Sequence, residues 1–258
     1  MTTQPVSSPK SCDALSASRS SKKSSKKKPQ RKAFTLIELL VVITIIGILV
    51  SIAVPVFSNV QRSANFTAAL AEARGIGLAM MQYAQDANGS FVRYERKADG
   101  SLDTGKEVAT ANAAFGELIK EGIISREKPF GITGDPWLGG IGPDDNIEPI
   151  SEILKKGENS YAYVLGLTST SNGAFPLIAN AFVPGSQANP VYIANTASPG
   201  GVFAGQDAVV IRVDGSASKE RVNRTSLQVD RPGTSKNMFA TDPNWLPAGT
   251  AKVLLPIP

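Results

Sequence analysis

One carboxylate stands inside the most apolar stretch of the chain. In the 21 residues from Phe34 to Val54, the polar residues are Thr35, Glu38, Thr44 and Ser51. A charged side chain within a membrane-length helix costs at least about 2.5 kcal/mol on insertion scales, so it usually marks a function. Glu38 lies near the start of the run, where it can reach the terminus of another chain. It is therefore the first candidate functional residue.

The other residue types argue against catalysis. The sequence contains no histidine, which removes serine–histidine and cysteine–histidine catalysis as well as imidazole metal ligation. Asp135, Asp144 and Asp145 are the candidate metal ligands, because carboxylate oxygens suit calcium. A solvated acidic loop is the preferred interpretation of these residues. We therefore expect no cofactor and no enzymatic activity.

A basic segment precedes the apolar run. Residues 1–33 contain nine Lys or Arg and one acid, whereas the whole chain has a net charge of +5. This Lys- and Ser-rich segment cannot bury a core, and we expect it to be disordered. About 20 apolar residues are enough to cross a bilayer as a helix, and basic residues before such a span favour the cytoplasmic side. The pattern predicts a single pass through the cytoplasmic membrane, with the C-terminal part outside the cytoplasm.

The block from Ala33 to Glu38, Ala-Phe-Thr-Leu-Ile-Glu, resembles the N-terminal processing and assembly signal of type IV pilins and type II secretion pseudopilins. Ala33 stands where Gly is usual in that family, but it is still small. The resemblance implies that a prepilin peptidase cuts between Ala33 and Phe34 and methylates the new amine of Phe34. It further implies that the subunit joins copies of itself and other pilin-like subunits at an inner-membrane assembly platform. Glu38 would then neutralise the Phe34 amine of a neighbour in a periplasmic or cell-surface filament.

Two features favour the secretion branch of this family. The only cysteine, Cys12, lies in the segment that would be removed, so the mature chain could form no disulfide, whereas many adhesive type IV pilins have one. Asp135-Pro136-Trp137 matches the start of a turn common in major pseudopilins, although Leu138-Gly139-Gly140 departs from it. Some major pseudopilins bind calcium in loops of the C-terminal sheet, but this sequence lacks a matching run of ligands.

Other interpretations remain open at this point. The apolar run could be the core helix of a soluble protein, or the apolar region of a secretory signal peptide with Ser51-Ile52-Ala53 at its cleavage site. The basic segment could bind nucleic acid, but it has no aromatic residues and abuts a membrane span, so we expect no nucleic-acid partner. The chain could also be a membrane-anchored or secreted binding domain that never polymerises.

The apolar run continues as an amphipathic helix. Beyond Pro55, apolar residues recur at intervals of three and four from Phe66 to Ala87, and Asn88-Gly89 supplies a left-handed end. We therefore predict one helix from about Phe34 to about Asn88. Pilins often carry a proline where Pro55 stands. Because Pro55 removes one backbone hydrogen bond, we predict a helix kink or a local melting point there, and a simple break of the helix at the membrane boundary is the alternative.

The predicted fold class is α+β, with the long N-terminal helix packed on a small antiparallel β-sheet. The chain divides into a removed leader (1–33), a transmembrane and assembly helix (34–55), its amphipathic continuation (56–88) and a globular head (89–258). Within the head, helices are predicted at 112–122 and 151–157, and strands at 161–165, 177–183, 208–213 and 216–222. The last two strands form a hairpin in which Asp214-Gly215 is predicted to make a tight primed turn. Residues 253–258 show no interpretable pattern.

Overall fold

The computed structural model describes residues 34–97, 99–247 and 249–257, so the predicted leader lies outside the described residues. The helices within these ranges are α1 (Leu36–Asp86) and α2 (Ala111–Lys120), with short 3₁₀ turns at Lys128–Phe130, Pro136–Leu138 and Ile150–Glu152. The strands are β1 (Tyr94–Arg96), β2 (Leu102–Glu107), β3 (Tyr161–Leu165), β4 (Pro176–Asn180), β5 (Asp207–Arg212), β6 (Ala217–Arg221) and β7 (Lys252–Leu254). One long helix with antiparallel strands confirms the predicted α+β class.

The chain forms two compact units, one ending at Ser51 and the other beginning at Ile52, and α1 contributes residues to both. The predicted domain boundaries at 55, 56 and 88 stay predictions. The second unit contains the head together with the amphipathic part of α1. Its buried helical residues follow the predicted stripe and include Phe66, Ala73, Ile76 and Met80.

The C-terminal end of α1 uses left-handed backbone. The helix ends at Asp86, and Asn88 and Gly89 have φ angles of 52° and 83°. The Gly89 N–H donates to the Ala84 carbonyl at 2.7 Å, which satisfies a carbonyl that the helix leaves free. The predicted cap is confirmed.

The main sheet of the head has five strands in the order β6-β5-β4-β3-β7, and all neighbours pair antiparallel. Every residue of β3 and β4 is buried, which explains why β3 and residues 176–179 of β4 are continuous runs of apolar and aromatic residues rather than alternating ones. β1 and β2 form a separate two-stranded sheet. Neither β1, β2 nor β7 was predicted from the sequence.

The amphipathic part of α1 lies directly on the main sheet. A Cβ added to Gly77 would lie 2.6 Å from Ile211 Cγ2 on β5, so the helix approaches the sheet more closely than a side chain would allow. On β3, the Tyr161 hydroxyl donates to the Ala69 carbonyl of α1 at 2.9 Å. These contacts hold the amphipathic part of α1 against β3 and β5.

The hairpin of β5 and β6 is confirmed, but its predicted turn is wrong. The turn spans three residues, Val213-Asp214-Gly215, and only Gly215 among them has a positive φ, 78°. The Gly215 N–H donates to the Arg212 carbonyl at 2.9 Å, and the Arg212 N–H donates to the Ser216 carbonyl at 2.9 Å. This is a type I turn closed by a left-handed glycine, which fits a three-residue loop better than a primed two-residue turn. Asp214 instead accepts from the Ser216 N–H at 2.8 Å.

Two other predicted elements are shorter than expected. The helix predicted at 151–157 is only the 3₁₀ turn Ile150–Glu152, since Leu154 adopts a left-handed φ of 46° and Gly157 one of 85°. The strand predicted at 177–183 is β4, which ends at Asn180. The helix predicted at 112–122 is confirmed as α2, with Gly122 at φ 69° after its end.

Candidate functional site: the N-terminal assembly segment

A reciprocal pair of hydrogen bonds between Thr35 and Glu38 starts α1. The Glu38 N–H donates to Thr35 Oγ1 at 3.3 Å, while Glu38 Oε2 accepts from the Thr35 N–H at 2.9 Å and from Thr35 Oγ1 at 2.8 Å. This arrangement is a capping box, in which an N-cap threonine and a glutamate three residues later satisfy the free N–H groups of the first turn. The spacing Thr-x-x-Glu signals such a cap in the sequence, so Thr35 is a functional candidate that the sequence analysis missed.

The capping box gives Glu38 a local role within its own subunit. Glu38 is also the acid of the first helical turn, where the partial positive charge of the helix N-terminus favours a carboxylate. Among the described residues, Glu38 forms no ion pair with a basic side chain. Its charge is therefore balanced by hydrogen bonds and is still free to meet a cation.

The first unit exposes its apolar side chains. Every residue from 34 to 51 is exposed, and the large apolar ones among them include Phe34, Leu36, Ile37, Leu39, Leu40, Val41, Val42, Ile43, Ile45, Ile46, Ile48, Leu49 and Val50. By length and composition α1 could cross a membrane, and its apolar window is wholly unburied. The interpretation as the core helix of a soluble protein is therefore wrong, whereas a signal sequence would pass the same test.

The hydroxyl groups of Thr44 and Ser51 donate hydrogen bonds to backbone carbonyls of their own helix. Thr44 Oγ1 donates to the Val41 carbonyl at 2.8 Å, and Ser51 Oγ donates to the Ile48 carbonyl at 2.7 Å. Glu38 is therefore the acidic side chain of this surface. A surface this apolar must be covered by lipid or by protein.

Of the two predicted processing residues, the structure describes Phe34 but not Ala33. Ala33 lies outside the described residues, and Phe34 is 73% exposed, directly before the capping box. Around Pro55 the helical assignment continues without a break from Leu36 to Asp86. The kink at Pro55 stays a prediction.

The three predicted metal ligands do not form a common site. Asp135 is buried at the start of the turn Pro136–Leu138, and its Oδ1 accepts from the Trp137 N–H at 3.1 Å. Asp145 Oδ1 accepts from the backbone N–H groups of Glu127 and Lys128, both at 2.9 Å. Asp144 instead lies with Glu127 and Glu158, two acids that the sequence analysis did not consider.

The Asp-Pro-Trp turn packs into the head. The indole N–H of Trp137 donates to the Phe182 carbonyl at 3.0 Å, just beyond β4. Burial raises the pKa of Asp135 from 3.8 to about 7, against the opposing effects of hydrogen bonds from Trp137 and Ser160. The turn thus has a structural role, and its aspartate is a titratable group inside the core.

Comparison with known protein families identifies one match, the prokaryotic N-terminal methylation motif, at residues 28–54. No match was found among curated proteins or among solved structures. The matched residues contain Ala33, Phe34 and Glu38 together with the apolar run. The chain therefore carries a type IV pilin-like signal. The motif supports processing by a prepilin peptidase, and with the exposed apolar helix it is consistent with membrane anchoring.

Proposed function

We propose that the chain is a structural subunit of a pilin-like filament, assembled through the N-terminal half of α1. The observation that carries this proposal is the exposed apolar surface of residues 34–51, with Glu38 as its carboxylate. A bundle of identical helices would cover that surface after the subunit leaves the bilayer. We propose no catalytic role for any residue of the head.

In the filament, Glu38 would pair with the methylated Phe34 amine of a neighbouring subunit. Opposite charges attract strongly in a low-dielectric bundle, and a shifted register would leave a charge buried and unpaired. Glu38 accordingly selects the register more than it adds net stability. The Thr35 hydrogen bonds would keep the carboxylate next to the amine end of its own helix until the neighbour arrives.

We further propose that the filament is a type II secretion pseudopilus rather than a pilus. The segment beyond Cys12 contains no cysteine, so the mature head would need no oxidation step. The Asp135-Pro136-Trp137 turn, with Trp137 buried in the head, also supports the secretion branch.

The first experiment is intact-mass and N-terminal peptide analysis of the protein from its own cell membranes. We expect a mature chain that begins with N-methylated Phe34, and we expect Ala33→Asp to prevent this cleavage. A chain that begins near Val54 would instead indicate a secretory signal peptide. A chain that retains Met1 would favour a simply anchored binding domain.

A second experiment separates the charge of Glu38 from its capping role. Glu38→Gln keeps an amide oxygen that can accept the Thr35 hydrogen bonds, whereas Glu38→Ala removes both charge and cap. We expect both variants to insert into the membrane and neither to form crosslinked filaments. Normal filaments from Glu38→Gln would refute the charge pairing, and would reduce Glu38 to a helix cap.

A further inference from the structure

Three carboxylates from distant parts of the chain meet at one edge of the head. We define the acidic cluster as Glu127, Asp144 and Glu158, whose carboxylate oxygens all lie within 4.8 Å of one another. Glu127 and Glu158 are almost completely buried, and Asp144 is exposed. Acidic groups on a surface often gather without a ligand, but two of these three are withdrawn from water.

Local backbone bonds bring the three segments together. Glu127 precedes the 3₁₀ turn Lys128–Phe130, and its N–H donates to Asp145 Oδ1 at 2.9 Å. The Gly142 N–H donates to the Gly157 carbonyl at 3.0 Å, which ties the loop that carries Asp144 to the chain just before Glu158. The loop is thus held on both sides, so the proximity of the carboxylates is built into the fold.

One oxygen of the cluster has no partner in the described structure. Glu127 Oε1 accepts from the Leu154 N–H at 2.6 Å, but Glu127 Oε2 is buried and accepts no hydrogen bond. A buried carboxylate oxygen normally receives hydrogen bonds or binds a cation, because leaving it unpaired loses its hydration without compensation. This orphaned oxygen belongs to the same carboxylate that faces Asp144 and Glu158.

No basic side chain of the described residues forms an ion pair with the acidic cluster. Lys155 is a neighbour, but its ammonium pairs with Glu152 at 2.6 Å, and only its backbone N–H reaches Glu158. Two buried carboxylates thus face each other and the carboxylate of Asp144 without a basic partner. The cluster therefore needs either a bound cation or bound protons.

We propose that Glu127, Asp144 and Glu158 bind one hard divalent cation, for which calcium fits better than magnesium. Oxygen ligands select hard cations, and a calcium–oxygen distance of about 2.4 Å allows two ligand atoms to lie as much as 4.8 Å apart. Magnesium requires shorter distances and seldom accepts so many carboxylates. Water would complete the coordination on the side of Asp144, where the cation enters.

The bound cation would connect three separate segments of the head. It would join the turn after Glu127, the loop of Asp144 and the residues that lead into β3. The local free energy of opening this loop would then depend on the cation concentration. All three ligands lie in the second unit, and none of them belongs to α1.

The test is calorimetric titration of the full-length protein in detergent, stripped with chelator, against calcium chloride and separately against magnesium chloride. We expect one calcium site and weaker magnesium binding. Asp144→Asn, an exposed change that should not disturb folding, is expected to weaken calcium binding at least about tenfold, since affinity follows the number of charged ligands. Glu127→Gln should weaken calcium binding to a similar extent. Glu148→Gln is the matched control, since Glu148 is exposed in the same loop and lies outside the cluster.

Thermal unfolding supplies a second readout. Calcium should raise the Tm of the wild-type protein and of Glu148→Gln, but should have little effect on Asp144→Asn. The proposal is overturned if calcium at about 5 mM, above the range of weak extracellular calcium modules, produces neither heat nor a Tm shift. Protons would then neutralise the cluster. Calcium binding that survives both Asp144→Asn and Glu127→Gln would also overturn it, since the cation would lie elsewhere.

Discussion

Two glycines of α1 offer a matched test of how tightly the helix lies on the sheet. Gly75 and Gly77 are both inside the helix, but an added Cβ at Gly75 would meet nothing within 4 Å. At Gly77 the same atom would lie 2.6 Å from Ile211 Cγ2. Ile211 is fully buried and branched at Cβ, so its methyl group cannot simply swing away. We therefore compare Gly75→Ala with Gly77→Ala.

The two substitutions gain the same helix propensity but differ in packing. Alanine is about 1 kcal/mol more favourable than glycine inside a helix, and Gly75→Ala should realise most of this gain. Contacts between carbon atoms are comfortable at about 3.5–4.0 Å, so the methyl group at position 77 must force the helix or β5 to move by about 1 Å. Overpacking of this kind costs about 1–3 kcal/mol. Gly77→Ala should thus be less stable than Gly75→Ala by about 1–3 kcal/mol.

The assay is chemical unfolding of the full-length protein in detergent, followed by tryptophan fluorescence. Ile211→Ala removes the clashing methyl group, so Gly77→Ala should cost little in that background, and the double-mutant cycle should show strong coupling. If Gly77→Ala stabilises the protein as much as Gly75→Ala does, the close approach of α1 to β5 is wrong.

Two further predictions concern the head. Burial raises the pKa of Asp135 to about 7, so the folded state retains this proton where the unfolded state, with a pKa near 3.8, has lost it. The contribution of this proton to the free energy of unfolding is fully present below pH 3.8 and is lost as the pH rises to about 7, by about 4 kcal/mol in total. Asp135→Asn should remove this part of the pH–stability profile. Superimposable profiles of the variant and the wild-type protein would contradict the raised pKa. Thr110 caps α2 by accepting from the Ala113 N–H at 3.2 Å, so Thr110→Ala should lower the free energy of unfolding by about 1 kcal/mol and Thr110→Ser by much less, as measured by urea denaturation. Equal losses from the two Thr110 variants would show that the cap bond contributes nothing.

The helix and the central strands were predictable because their signals are local. The stripe from Phe66 to Tyr83 has the period of a helix, and its burial against one sheet confirms that reading. The strands β3 to β6 were recognised from short apolar runs and from the Asp214-Gly215 turn. The position of the turn was predictable because Gly215 has a left-handed φ. The predicted conformation of Asp214 was wrong because it depends on the length of the loop, which the sequence does not define.

The strands that were missed have no such local signal. β2, Leu102–Glu107, is mostly exposed and contains Gly105, and its pairing with β1 is supported by an ion pair between Lys106 and Glu95. β7 has only three residues, and its partner β3 is distant in sequence. Pairings of this kind arise from tertiary context, which outweighs propensity.

The acidic cluster was missed for a related reason. Glu127 stands between Arg126 and Lys128, a pattern typical of a solvated surface. Its burial follows from the loop that carries Asp144 and from the chain before Glu158, neither of which is near it in sequence. Asp144 and Asp145 are adjacent in the sequence, but Asp144 lies in the acidic cluster while Asp145 accepts hydrogen bonds from backbone N–H groups. Proximity in the fold, rather than along the chain, decides which acids meet.

The position of β7 beside β3 has a consequence for folding kinetics. β3 pairs with β4, which follows it in the chain, but the other edge of β3 is covered only when Lys252–Leu254, from a distant part of the chain, pair with it. Closing such a long loop is entropically costly and slows folding. Until it closes, the hydrogen-bonding edge of β3 is an aggregation hazard. The pairing of β7 with β3 therefore does two things at once, since it completes the sheet and removes this exposed edge.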